Sequence, residues 1–485
     1  MSDSHSPSNS LALSRATGAI VGAFVGDAAG AVLEFAPGAV TPALARRAMA
    51  MPGGGVFRVG PGQITDDSEL ALCLARALIT RAPANITSGP FPPDAPPPAG
   101  APLSAGDGPS RGSEPAAEPG SGGAALLAAG AAGAAREGYW EGRFPLGRVA
   151  RAYHWWAHSQ PFDIGGTCAT AFRFPLTFQV DTEIVLSTIF PPANRTPEQQ
   201  AEDEERMRQK RRQMQEEDEK LLVKQMQTNA ATCSDSQANG ALMRATPLAV
   251  WAHRLPPEAV ARWAALDASL SHCNPVCRAA NAAYCVAIAH LINHPGDAEG
   301  AFEGAVRWAA GEAGEGGEAG EQEDRGGGQG GMRHTQGNVA SKHSGSRPCG
   351  LQVECRRSIG WVKWGFMLAF YHLLRGSGYE EAIEDTLVRG GDTDTNAAIV
   401  GGMVGAMRGV EGMGGMDGLK EVEGGPGLEG EKGVPRGMVE GMVRRDYSKG
   451  RERPEQLRPR DLLALCEALF HLAPGESAAR SACIG

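Results

Sequence analysis

The alternation of apolar and polar positions reads as a series of helices, separated by stretches that cannot form a core. Residues 11–35, "LALSRATGAIVGAFVGDAAGAVLEF", are apolar or small with few breaks. Within them Gly18, Gly22, Gly26 and Gly30 recur every four residues. That spacing lays a smooth stripe on one helix face, where a second helix can approach closely. Its usual home is a membrane helix, but Arg15, Asp27 and Glu34 argue for a soluble one. Helical patterning returns at residues 70–78, over 124–158 with breaks at 142–147, and through the longest block, 238–294. Pro247 and Pro256-Pro257 mark boundaries inside that block. An aromatic-rich amphipathic helix is predicted at 359–374, another helix at 379–388 and a last one at 460–472. No stretch shows the β-branched alternation of a sheet, and "FRFPLTF" at 172–178 comes nearest. The pattern predicts an all-α fold.

Between these segments the composition changes. Residues 82–122 are rich in Pro, Gly, Ser and Ala and bury too little apolar surface to fold. Residues 198–220 carry dense mixed charge, "EQQAEDEERMRQKRRQMQEEDEK", which predicts a solvated helix with i,i+4 pairs. Residues 311–350 and 411–433 are again glycine-rich. The expected organisation is a disordered tail at 1–10, one domain over 11–475, and a tail at 476–485. Insertions at 82–122, 191–229, 311–355 and 411–433 interrupt the domain, leaving a core of about 280 residues.

Hydrophobic residues make up 42% of the 485, and aromatics only 6%. With 66 glycines and 33 prolines, this suits a globular core carrying low-complexity insertions. The net charge of −10 makes non-specific nucleic-acid or anionic-membrane binding a poor fit. Ten cysteines scattered over this length do not form a secreted disulfide framework. The start, MSDSHSPSNS, has no basic n-region or apolar h-region. No apolar run is expected to reach the roughly 18–20 residues of a membrane span. The reading is an intracellular, cytoplasmic protein with reduced thiols and no membrane partner.

Two short loops carry candidate chemistry. "ITDDSEL" at 64–70 places Thr65, Asp66 and Asp67 before an apolar run. One reading is a helix start, with Glu69 three residues after Asp66 forming a capping box. The other is a site for a cation. "GGDTDTNA" at 390–397 repeats the arrangement. Its glycines permit a tight turn that lets Asp392 and Asp394 face one cavity. Carboxylates and hydroxyls without His or Cys point away from zinc and toward Mg²⁺, Mn²⁺ or Ca²⁺. If the loops converge, their like charges repel unless cations lie between them, and a pair of divalent ions is one solution.

The order GDAAGAVLEF, TDDSELAL, NGALMRATPLA, SHCNP and GGDTDTNAAIVGGMVGA resembles the ADP-ribosylglycohydrolase family. The form Asp163-Ile164-Gly165 in "PFDIGGTCATA" is most similar to the branch typified by the bacterial dinitrogenase-reductase-activating glycohydrolase. The resemblance spans about residues 16–78, 137–178, 236–295 and 357–410, with a weaker match at 433–442. It implies a compact orthogonal helical bundle with two Mg²⁺ (or Mn²⁺) held by Thr65, Asp66, Asp67, Asp392, Asp394 and Thr395. Glu34 falls on a family glutamate that reaches the metal site in some members, or else is a surface helix end. Asn239, Gly240, Ala241, Met243 and Arg244 match a loop lining the ADP-ribose cleft. Arg244 reads equally as a buried structural ion pair. His272, Asp163 and Gly165 are read as cleft residues, and Cys273, Cys277 and Cys285 as helix core. Ser68 and Asn396 depart from the family pattern, where threonine and an aliphatic residue are commoner.

The implied activity is removal of ADP-ribose from a modified protein side chain or small acceptor by cleavage at C1″. Glu34, Asp66 and Asp67 are the candidate proton carriers. The implied partner is an ADP-ribosylated protein or an ADP-ribose-containing small molecule. Two other readings use the same sequence. One is a catalytically inactive ADP-ribose or nucleotide-binding module on this scaffold, and the other an interaction protein recruiting partners through 198–220.

Overall fold

A computed structural model describes residues 7–36, 38–79, 144–175, 196–315, 353, 355–412 and 432–474. The expectations for 82–122, for 124–143 and for the 476–485 tail, and most of those for 311–355 and 411–433, fall outside these residues. Fifteen α-helices and two short 3₁₀ turns occur among the described residues, with isolated bridges and no strand. The all-α class is therefore observed.

Helix α1 (Pro7–Gly30) forms the centre. It begins inside the expected 1–10 tail and ends at Gly30, so Glu34 lies on the following turn rather than on the helix. Around it run α2 (Pro42–Met49), α3 (Asp66–Leu78), α4 (Leu146–His158), α5 (Gly166–Phe172) and α6 (Pro197–Ala231). The 238–294 block divides at its prolines into α7 (Thr246–Trp251), α8 (Pro257–Ser269) and α9 (Pro275–Asn293). Then come α10 (Ala298–Glu315), α11 (Val362–Arg375), α12 (Tyr379–Val388), α13 (Thr393–Arg408), α14 (Arg436–Val443) and α15 (Leu462–His471).

Helices α1 and α13 pack backbone to backbone. A Cβ on Gly22 would meet the Gly401 carbonyl oxygen at 2.4 Å, and one on Gly405 would meet that of Gly18 at 2.0 Å. The stripe anticipated on α1 thus faces a second stripe on α13. Tyr379 Oη donates to the Gly22 carbonyl at 2.6 Å, and Tyr284 Oη to that of Ile399 at 2.8 Å, tying α12 and α9 to this pair.

Two expectations need correction. Residues 9–30 and α9 are each long and apolar enough to cross a membrane, because alanine and valine outweigh the few charges. Both are interior helices here, 89% and 72% buried over their most apolar windows. The second concerns the charged helix. Its start is capped as a solvated helix should be: Gln199 N donates to Thr196 Oγ1 and Thr196 N to Gln199 Oε1. Near its end, however, Leu222, Met226 and Ala230 are buried against α4 and α5. The dense charge of 198–220 conceals a core-forming last third.

The chain after residue 432 locks α3 in place. Arg453 makes a two-pronged ion pair with Glu69 (2.7 and 2.9 Å), and Arg76 makes one with Asp461 (2.8 and 3.1 Å). All four side chains are buried.

Candidate metal centre

Thr65 is the N-cap residue of α3, but its side chain caps nothing. Its hydroxyl lies 2.8 Å from Asp27 Oδ1, 2.9 Å from Asp67 Oδ2 and 3.4 Å from Asp394 Oδ2. Glu69 does not close a capping box either, since it accepts from Arg453 and from Trp156 Nε1. The buried first turn is instead held by Asp27, which accepts from the Thr65 and Ser68 backbone N–H groups at 3.1 and 3.2 Å. Asp27 therefore does from α1 the work that a capping side chain would do locally. That releases Thr65 and Asp67 to face inward.

The second loop reaches the same point from the other side. Gly390 and Gly391 both take positive φ (67° and 79°), and a Cβ on Gly391 would lie 2.1 Å from the Cys355 carbonyl oxygen. Only glycine fits that turn. It delivers Asp392 and Asp394 to the N-terminal end of α13, where Thr393 Oγ1 donates to the Gly30 carbonyl at 2.9 Å. Asn239 Nδ2 donates to Asp392 Oδ2 at 2.9 Å. The two acidic loops, more than 320 residues apart in sequence, thus meet between α1 and α3.

Seven carboxylates gather here, none more than 8% exposed: Asp27, Glu34, Asp66, Asp67, Asp163, Asp392 and Asp394. Two groups bring ligand oxygens within 4.8 Å of one another, Asp27–Asp67–Asp394 and Glu34–Asp163–Asp394. Asp394 belongs to both. Asp66 and Asp392 are buried beside these groups without joining either.

The electrostatics follow from this crowding. Burial, then the charges of Asp394, Asp66, Asp27 and Asp392, push the Asp67 carboxyl well above the usual range. Burial, then Asp394, Asp163 and Asp392, do the same to Glu34. Asp394 is raised by burial and then by Asp392. Asp27 is pushed up to about 6 by burial, against the hydrogen bonds from Ser68 and Thr65. A single threonine hydroxyl amid three carboxylates cannot satisfy them all, and Asp67 Oδ1 is buried without a hydrogen-bond partner. This donor set fits hard divalent cations: it is oxygen-only, anionic, and includes a buried unsatisfied ligand atom. A bound cation would invert the pKa order by favouring the ionised carboxylates.

The remaining candidates divide between this centre and its surroundings. Thr395 N donates to Asp394 Oδ1 at 2.9 Å, and its hydroxyl points to Met243 Sδ at 3.9 Å. Ala241 is fully buried, and Gly165 is the N-cap residue of the short α5. Arg244 is fully buried in an ion pair with Asp267 at 3.1 Å. It also donates to the Gly240 carbonyl and Ser271 Oγ, and its guanidinium lies 4.5 Å from the Tyr153 ring centre. The geometry thus gives Arg244 the structural role, bracing the loop that holds Asn239. His272 packs against Gly240, and burial followed by the Arg244 charge pushes its pKa down to about 3, so the ring is neutral. Cys277 and Cys285 are buried and Cys273 is half-buried, all as free thiols. Asn396 is buried against Gly365 of α11, facing away from the acidic groups.

Sequence reasoning did not assign Asp27 to the site. Its signal was the "GDAAG" segment, which carried part of the resemblance while the aspartate itself was read only as a mark of solubility. Also unassigned were Phe35, Phe57 and Phe162, a half-buried aromatic row beside Glu34 and Asp163. Neighbouring rings in the row lie 6.2 and 6.0 Å apart.

Over 78 residues the chain is 44% identical to the ADP-ribosylarginine hydrolase Tri1 of Serratia proteamaculans, covering 16% of this chain and 20% of that protein. Over 67 residues it is 45% identical to the ADP-ribosyl-[dinitrogen reductase] glycohydrolase of Rhodospirillum rubrum, covering 14% and 23%. These matches span less than a quarter of the relatives' length. A solved structure, an ADP-ribosylglycohydrolase-related protein complex, aligns over 96% of this chain and 99% of that chain, with 17% identity and a TM-score of 0.46. The sequence model of the family, ADP-ribosylglycohydrolase, matches residues 8–102 and 123–424, and the chain belongs to that family.

Proposed function

We propose that the protein is a metal-dependent hydrolase that removes ADP-ribose from a modified protein side chain or small acceptor by cleaving the bond at C1″. The observation that carries this reading is the pair of buried carboxylate groups sharing Asp394. Asp27, Thr65, Asp67 and Asp394 would hold one Mg²⁺ or Mn²⁺, and Glu34, Asp163 and Asp394 the second. Bound there, such ions orient ribose hydroxyls and lower the pKa of water.

The chain's own residues supply positioning and proton transfer. Asp27 fixes the α3 N-terminus and so the direction of Asp67. Asn239 holds Asp392, and Arg244 holds the loop that carries Asn239. Glu34 is the best-placed proton carrier. It shares a hydrogen bond with Asp394, and its own carboxyl favours the protonated form. Its turn lies beside the aromatic row, where an acceptor group can enter. A carboxyl in that state can protonate a leaving group and then, ionised, take a proton from water as oxocarbenium character decays at C1″.

The matched relatives named for arginine-linked and dinitrogen-reductase substrates, together with the Asp163-Ile164-Gly165 form, favour arginine-linked ADP-ribose as the substrate class. The test is release of ADP-ribose from arginine- and serine-modified peptides with Mg²⁺ or Mn²⁺, beside an Asp67→Asn control. Release from the arginine peptide that fails in the control supports the reading. A folded, metal-loaded protein that binds ADP-ribose without releasing it from any peptide would instead be a binding module.

A further inference from the structure

The matched family region ends at residue 424, and the chain beyond it builds a recess. This recess has a volume of 510 Å³ and lies between α14 and residues 444–463. Its lining combines apolar residues, Val439, Val443 and Leu463, with Arg444, Arg445, Arg460 and Tyr447. Three guanidinium groups surround the Tyr447 ring: Arg460 at 4.4 Å from its centre, Arg445 at 4.8 Å and Arg458 at 5.5 Å. The ring thus holds like charges together that would otherwise splay apart.

Among the described residues the acids nearby pair with Arg436, Arg458, Arg460 and Lys449, which leaves Arg444 and Arg445 without an ion pair. Glu440, in the lining, is engaged by Arg436 at 3.0 Å. Glu455 is shared by Arg458 and Arg460, and Asp446 pairs with Lys449. The Arg444 side chain has no ion-pair or hydrogen-bond partner among the described residues. Arg445 Nη1 is buried with no partner, although Nη2 of the same group donates to the Lys449 carbonyl. A buried guanidinium N–H left unpaired is costly, and a carboxylate or phosphate oxygen is the acceptor that suits it. The planar fork of arginine matches phosphate in particular. The volume lies within the range of small-molecule sites.

We infer that this recess binds a phosphorylated organic anion of mononucleotide size, its phosphate on Arg444, Arg445 and Arg460 and its organic part on Val439, Val443 and Leu463. The inference does not depend on the proposed hydrolysis, because none of the seven acidic-centre carboxylates lines the recess.

The test is calorimetric titration of the full, chelator-treated chain with AMP and with inorganic phosphate. AMP should bind about tenfold or more tighter than phosphate, because only AMP reaches the apolar lining residues. Arg444→Gln and Arg445→Gln should each weaken AMP by about tenfold, and Asp394→Asn should leave it unchanged. Melting curves check that each variant is folded. Arg444 is exposed and unpartnered, so its variant carries the test even if Arg445→Gln is unstable. Absence of AMP binding, equal affinity for AMP and phosphate, indifference to both arginine substitutions, or loss on Asp394→Asn would each overturn the inference.

Discussion

Substituting Gly22 by alanine tests the link between the helix pair and the acidic centre, because the sign of the effect decides it. In an open helix, Gly→Ala stabilises by about 1 kcal/mol through reduced chain entropy. At Gly22 the added Cβ would sit 2.4 Å from the Gly401 carbonyl oxygen, well inside any real Cβ contact. That oxygen belongs to the α13 backbone and cannot rotate aside, so the helices must separate. Overpacking of this kind costs about 1–3 kcal/mol, and a backbone obstacle places it at the upper end. The net expectation is destabilisation by about 2 kcal/mol, or roughly 4–8 °C in melting temperature for a core of this size. The separation also moves Asp27 on α1 from Asp394 on α13, so Mn²⁺ affinity should fall as well. Urea titrations with and without Mn²⁺ measure both effects. Gly437→Ala on α14 is the control, since a Cβ there meets nothing within 4 Å, and it should be neutral or stabilising. A Gly22→Ala protein that is more stable than the parent would refute the close packing and the coupling built on it.

Asp27→Asn should stabilise the chelator-treated protein. The Asp27 carboxyl rises from 3.8 to about 6 on folding, so its ionisation opposes folding progressively between about pH 4 and pH 6 and fully above that. Two units correspond to about 3 kcal/mol at neutral pH, reduced by weaker hydrogen bonds to Thr65 and Ser68. Urea midpoints for variant and parent should therefore diverge as pH rises from about 4 to 7, while Mn²⁺ stabilises the variant less. Arg453→Met leaves Glu69 buried without its ion-pair partner and should cost about 3–5 kcal/mol. The emission of Trp156, which donates to Glu69, reports the change. Within α6, Met226→Ala should cost about 2–5 kcal/mol, whereas Arg208→Ala on the exposed part should change stability by under about 0.5 kcal/mol, both read by thermal melting.

The helical content was legible because periodicity, prolines and glycines are local signals. The 238–294 block divides where its prolines stand, and α12 spans the expected 379–388. The glycine stripe of α1 was legible too, as were Gly401, Gly402 and Gly405, which permit close approach on α13, but the two lie nearly 400 residues apart and no local pattern pairs them. The two acidic loops could be matched by their chemistry alone. What each carboxylate does depends on three-dimensional neighbours. Asp27 looks like an interruption of an apolar helix until α3 is placed with its first turn against it. Glu69 looks like a capping residue until Arg453, 384 positions later, is brought to it. The end of α6 reads as solvent-facing because it continues the dense charge of 198–220, although Leu222, Met226 and Ala230 stand in a segment with one charge, Lys224.

The most direct test of the account is a count of the ions that the acidic centre holds. Titration of the chelator-treated chain with Mn²⁺, followed by calorimetry and elemental analysis, should give two ions per chain in the parent. Asp394→Asn removes the carboxylate common to both groups and should lose both ions, whereas Asp163→Asn should weaken one. Absence of Mn²⁺ and Mg²⁺ binding to the folded parent, or undiminished binding by Asp394→Asn, would contradict the claim that the two loops build a metal centre.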